Sequence, residues 1–271
     1  MKKICFAFYN DQFPESALEF ICRMNAVSPV LLTAISLQKQ ELAELPTYAD
    51  GTFGMFLPLT QSRQKVAQVS SLRKLENICV ENHLQYQLRE EAADITFAGL
   101  QKESQYSELL IMGSEMIYND RESGSINVML EELLHHICCP AILIPEKFDY
   151  PKSLVLAYDG SKDCIFAITQ FAAMLPELLD LNTLLAYIST DPANEIPNES
   201  EIESLAGVHF RNITFCKMDS KKEFTQWMIE RKASMLVCGS YGRSALSQLI
   251  RKSFARNIIA NSQVPVFIAH R

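Results

Sequence analysis

Apolar residues occur along this chain in short bursts separated by polar or turn-forming residues. Ile4-Cys5-Phe6-Ala7-Phe8-Tyr9, Leu109-Leu110-Ile111-Met112, Leu154-Val155-Leu156-Ala157 and Met235-Leu236-Val237-Cys238 are near-continuous apolar runs of strand length. Runs of this kind suit strands buried on both faces of a sheet. The segments between them space their apolar residues by three and four, as in Phe254, Ala255, Ile258 and Ile259, which is the stripe of a helix. In the first half, strands are predicted near 3–9, 29–36, 84–90, 108–113 and 141–145, and helices near 14–25, 63–82, 93–105 and 125–137. In the second, strands are predicted near 153–158, 182–189, 208–216, 234–239 and 265–269, and helices near 162–176, 199–205, 220–232 and 253–261. Strands alternating with helices predict an α/β fold with a mainly parallel sheet covered by helices on both faces.

The pattern runs twice. Leu109-Leu110-Ile111-Met112-Gly113-Ser114 parallels Met235-Leu236-Val237-Cys238-Gly239-Ser240, and Cys139-Pro140-Ala141-Ile142-Leu143-Ile144 parallels Val264-Pro265-Val266-Phe267-Ile268-Ala269. Ile4–Tyr9 in turn parallels Leu154–Asp159, at a wider offset. The first half therefore carries extra residues between its first and penultimate strands. The segment 38–62, with Pro46, Gly51, Gly54 and Pro58, reads as a long loop or lid holding them. A polar linker, Glu146-Lys147-Phe148-Asp149-Tyr150-Pro151, separates the repeats, so two tandem domains are expected over 1–147 and 151–271, each with a five-stranded sheet.

Composition narrows the classes. Of 271 residues, 48% are hydrophobic and 21% charged, an ordinary globular balance, and the formal net charge is −7. An acidic chain is a poor non-specific binder of nucleic acid, which needs a basic face. No apolar run is long enough for a membrane span. The start, Met1-Lys2-Lys3-Ile4-Cys5-Phe6, reads as a first strand rather than a signal peptide, and the expected location is the cytoplasm. The eight cysteines form no Cys-x-x-Cys pair and mostly lie in apolar runs, where they act as small hydrophobes.

Two places carry candidate chemistry. One is Asp159, which ends a predicted strand and begins Asp159-Gly160-Ser161. The other is Gly239-Ser240-Tyr241-Gly242, followed nine residues later by Lys252-Ser253 and a helical pattern. Glycines let a backbone approach a ligand, and a helix start capped by Ser253 offers unpaired N–H groups to an anion. In a parallel sheet, ligands bind at the carboxyl ends of strands near the switch point, where Asp159 and Gly239 would both lie.

The spaced glycine loop, the strand ending in Asp159 and the closing Val264-Pro265-Val266 strand together resemble the universal stress protein family. The resemblance implies tandem Rossmann-like, doubly wound domains and a nucleotide site in the second. There Asp159 would hold the adenine and ribose side of ATP, Tyr187 would lie near the adenine, and Gly239, Gly242, Arg243 and Ser253 would surround the phosphates. ATP, alone or with Mg²⁺, is the implied cofactor, acting as a regulatory ligand in a stress response. The sequence departs from the pattern at Lys252, where the family has glycine; its side chain would either crowd the site or offer an ammonium to the phosphate. Each residue also has a plainer reading: a turn aspartate, turn glycines, a solvated arginine, a helix cap and a core tyrosine. The alternative function is a tandem scaffold that binds no nucleotide and works through protein partners.

The first half departs further. Gly113-Ser114-Glu115-Met116 lacks the second glycine, and Glu115, Asp120 and Glu122 would repel phosphate. At most one nucleotide per chain is therefore expected. No histidine set, nucleophile elbow or Walker pattern is present, so a non-enzymatic role is expected. The resemblance also implies that the two halves pair through their last strands, Ala141–Pro145 and Pro265–Ala269, as a pseudo-dimer within one chain, with a further homodimer open.

Overall fold

A computed structural model describes residues 1–9, 12–37, 57–88, 97–120, 125–126, 137–189, 195–239, 258–259 and 262–269. The first half contributes β1 (Lys2–Tyr9), β2 (Val30–Leu37), β3 (Gln85–Leu88), β4 (Leu109–Gly113) and β7 (Ala141–Ile144) to a single sheet. The second contributes β8 (Ser153–Tyr158), β9 (Asn182–Ile188), β10 (Asn212–Met218), β11 (Ser234–Gly239) and β12 (Val266–Ala269). A separate small hairpin joins β5 (Tyr118–Asp120) to β6 (Ser125–Ile126). The described helices are α1 (Glu15–Val27), α2 (Leu57–Glu81), α3 (Phe97–Ser104), α4 (Lys162–Met174), α5 (Glu199–His209) and α6 (Lys221–Glu230).

The sheet runs β10-β9-β8-β11-β12-β7-β4-β1-β2-β3. In each half the first strand lies between the second and the fourth, which is the doubly wound order with its switch point between first and fourth. All neighbours are parallel except β12 and β7, which pair antiparallel with Phe267 opposite Ile142. The last strands of the two halves are thus the seam, as expected. One antiparallel seam has a geometric result: the carboxyl ends of the first half's strands point to one end of the sheet, and those of the second half to the other.

Apolar runs became central strands because both sheet faces are covered. Every residue of β4, β7, β11 and β12 is buried. On one face, Ala17, Phe20, Ile21 and Met24 of α1 and Ala167, Ile168 and Phe171 of α4 pack against Phe6, Ile142, Leu156 and Phe267. On the other, Leu100 of α3 and Phe224 and Met228 of α6 pack against Leu110, Leu143, Val155 and Leu236. Each fully buried Phe, Leu or Ile side chain contributes about 1.5–3 kcal/mol. The linker is pinned as well. Phe148 and Tyr150 lie 6.0 and 5.4 Å from the ring of Phe20, and the Arg23 guanidinium sits 5.1 Å above Tyr150. Lys2 of β1 reaches across to the Met174 carbonyl and to Glu177, 3.9 Å away.

Several predicted boundaries need correction. The loop expected over 38–62 ends earlier, because α2 begins at Leu57 and takes in Pro58; residues 38–56 lie outside the described residues. Proline costs no hydrogen bond in a helix's first turn. The helix expected over 125–137 does not start at Ser125, since Ser125–Ile126 pairs with Tyr118–Asp120 as a hairpin; residues 127–136 lie outside the description. The strand expected over 208–216 starts only at Asn212, because α5 continues to His209. Of the helix expected over 253–261, only Ile258 and Ile259 are described, and both are helical and buried. No helix among the described residues is long and apolar enough to cross a membrane.

Candidate functional site

At the switch point of the second half, β8 and β11 lie side by side, with Leu156 opposite Val237. They end at Tyr158 and Gly239, and Asp159 follows directly. The structure therefore brings Asp159 and Gly239 to the same end of adjacent strands. On the other side of β8, Tyr187 of β9 lies opposite Tyr158. Tyr187 is half-buried against the core.

Hydrogen bonds within the Asp159–Ser161 turn set its shape. The Asp159 carboxylate Oδ1 accepts the Ser161 N–H at 2.8 Å, which fixes the side chain over its own turn. Gly160 adopts φ +79°, a left-handed conformation that a side chain would strain. Its open flank faces Pro197, whose Cβ would lie 2.8 Å from an added Cβ. Ser161 then caps α4, its Oγ accepting the Cys164 N–H at 3.3 Å. The first turn of α4 thus stands at the carboxyl edge of the sheet, next to both strand ends.

Gly239 has a structural task of its own. An added Cβ would lie 2.6 Å from the backbone C of Asp163 and N of Cys164. The bare Cα is what lets the end of β11 run against the first turn of α4. In the described residues the close approach at Gly239 is thus to the helix backbone, where the sequence had pointed to a ligand. Gly242, Arg243, Lys252 and Ser253 lie outside the described residues.

Tyr158 and Pro197 form a wall that the sequence reading missed. The Tyr158 hydroxyl donates to the Pro197 carbonyl at 2.7 Å, and burial pushes its pKa up to about 12. The preserved signal was Pro197-Asn198, a turn-forming pair, with Asn198 at φ 50° just before α5. Burial, with the Asp159 carboxylate nearby, pushes the Cys164 thiol up to about 12, and burial does the same for Cys238. Both stay protonated near neutral pH and are poor nucleophiles. Among the described residues no group of three or more His, Cys, Asp or Glu side chains could hold a metal ion.

The matching end of the first half is built differently. β1 ends at Tyr9, while Asn10 lies outside the description. Beyond Gly113 the chain enters a 3-10 turn, Ser114–Ile117, and the buried Glu115 folds its carboxylate back onto Gly113. A carboxylate thus sits against Gly113, the counterpart of Gly239 in the second half.

Residues 203–270 match the family model for the universal stress proteins. Among curated proteins no sequence matches the chain at a significant level. The whole chain superposes on a universal stress protein from Archaeoglobus fulgidus DSM 4304 with a TM-score of 0.71 at 14% identity, covering 100% of this chain and 96% of that one. A candidate universal stress protein from Pseudomonas aeruginosa UCBPP-PA14 gives 0.60 at 13% identity, covering 100% and 93%. A functionally unknown protein from Pseudomonas aeruginosa PAO1 gives 0.61 at 13%, covering 100% and 92%. Residues 203–270 carry the family's sequence pattern, and the entire chain shares the fold of these structures.

Proposed function

We propose that this chain is a tandem universal stress protein whose second half binds an adenine nucleotide as a regulatory ligand. The observation that carries the reading is the meeting of Asp159 and Gly239 at the carboxyl ends of the adjacent β8 and β11, at the switch point of the doubly wound order. ATP, with or without Mg²⁺, would bind the folded form and stabilise it by mass action. The first half serves as a structural partner, because Glu115 brings negative charge to the corresponding strand end. The role is that of a non-enzymatic cytoplasmic stress protein acting through partners not yet identified.

Calorimetric titration with ATP tests this. The expected result is at most one nucleotide per chain, with Asp159→Ala weakening binding by about 1.5–3 kcal/mol, the usual worth of a charged hydrogen bond. Lys252→Gly should bind more tightly than the wild type, because glycine restores room for the phosphates. Two sites per chain, or an unchanged affinity in Asp159→Ala, would overturn the assignment. A second reading, a scaffold without nucleotide, is favoured by one observation: α4 packing already accounts for Gly239. No binding in either the wild type or Lys252→Gly would select it.

A further inference from the structure

The second half has a groove at the end of the sheet away from Asp159 and Gly239. It is an open cleft of about 520 Å³ at the amino ends of β8, β9 and β10. Ser153, Asn182 and Asn212 stand in one register row across the three strands. Side chains alternate along strands, so this row shares its face with Val155, Ala186 and Met218, the face that α6 covers. Thr214 lies one step further along the same face, Thr183 belongs to the opposite face, and Arg211 and Arg231 complete the polar lining. Among the described residues no Asp or Glu lines the cleft. In a chain of net charge −7, a cleft with two arginines and no carboxylate runs against the average.

The two arginines are in different states. Arg211 is mostly exposed and already paired with Asp180, Nε to Oδ1 at 2.9 Å. Arg231 follows α6 and sits over Trp227, its guanidinium carbon 3.8 Å from the ring centroid. Among the described residues it makes no ion pair, and its neighbour Glu230 accepts from Gln226 instead. Partial burial lowers its pKa from the ordinary guanidinium value. This contact positions the guanidinium without using its N–H donors, which leaves them available for bidentate oxyanion binding. The volume falls in the range of a small-molecule site.

We propose that this groove binds a small metabolite bearing an oxyanion, a phosphate or a carboxylate, with Arg231 gripping the oxyanion and Asn182, Asn212 and Ser153 hydrogen-bonding the rest. The site is separate from the proposed nucleotide site, since it lies at the opposite ends of the same strands. The test uses the only tryptophan of the chain, Trp227, as its reporter. The full-length protein is titrated with inorganic pyrophosphate in one arm and citrate in the other. Trp227 emission and the side-chain amide resonances of Asn182 and Asn212 are followed. The expected result is a saturable change in both readouts with at least one oxyanion, and at least a tenfold loss of affinity in Arg231→Gln. The arm that responds identifies the oxyanion. Arg231→Lys keeps the charge without the fork and should fall between. No saturable change in either arm at millimolar concentrations would overturn the proposal, as would a response that Arg231→Gln leaves intact. If Arg231→Gln unfolds, the asparagine resonances of the wild type and the Arg231→Lys titration still decide it.

Discussion

Glycine positions show how much one hydrogen atom decides here. Gly239 and Gly207 are chemically identical and structurally opposite. An Ala at 239 would drive its Cβ to 2.6 Å from the α4 backbone, which cannot swing aside as a long side chain could. Overpacking of this kind costs about 1–3 kcal/mol. Gly207 sits exposed in α5 with nothing within 4 Å of an added Cβ. Ala there should stabilise the protein by about 0.5–1 kcal/mol, since glycine costs that much in a helix. Urea denaturation of Gly239→Ala and Gly207→Ala should therefore give shifts of opposite sign. Equal shifts would mean that Gly239 is not packed as described. The sequence made Gly239 visible through its spacing, but it could not show what faces the missing side chain. That depends on α4, a helix some 70 residues earlier in the chain.

Among the elements, α4 links the core to the candidate site. Its buried stripe, Cys164, Ala167, Ile168, Phe171 and Ala172, faces the sheet, and its first turn touches both strand ends. The Ser161 cap satisfies one of the helix's free N–H groups. Ser161→Ala should cost about 1 kcal/mol, and Ser161→Asn should recover most of it. Chemical denaturation reads both; a neutral Ser161→Ala would show that the cap contributes nothing measurable. Central strands were the most legible elements, because burial on both faces leaves an apolar run that needs no partner to be read. Mixed segments were less so. Val208 and Phe210 look like strand alternation, yet Ile202, Ala206 and Phe210 are four apart and buried, while Val208 is 79% exposed. The helical period wins, and α5 runs on to His209. Pro58 read as a loop signal because the sequence does not show that it falls in a first turn. The Arg231–Trp227 contact and the groove beside it were invisible, since they join elements through the sheet's third dimension.

For the whole molecule, the seam between β7 and β12 decides the assembly. It turns two five-stranded sheets into one and covers the apolar edge of each. Expressed alone, a fragment of residues 150–271 would keep β12 paired with β11 but leave its other edge, where β7 pairs, open. Unpaired edges invite pairing with another chain. The fragment should therefore sediment as a dimer or larger. A monomeric wild-type fragment would show that the seam supplies little of the association. The carboxyl ends of the two halves' strands, pointing to opposite ends of the sheet, cannot face one shared ligand.

The same seam imposes an order in time. β7 is made halfway along the chain and its partner β12 is the last described strand, with about 120 residues between them. At roughly 5–20 residues per second of synthesis, the β7 edge waits on the order of ten seconds on the ribosome before β12 emerges. During that wait it is a naked template. What guards it is written beside it: β7 is only four residues long, and Pro140 and Pro145 flank it, donating no N–H to a passing strand. The prolines that bracket β7 thus limit what its bare edge can pair with while the nascent chain waits for β12.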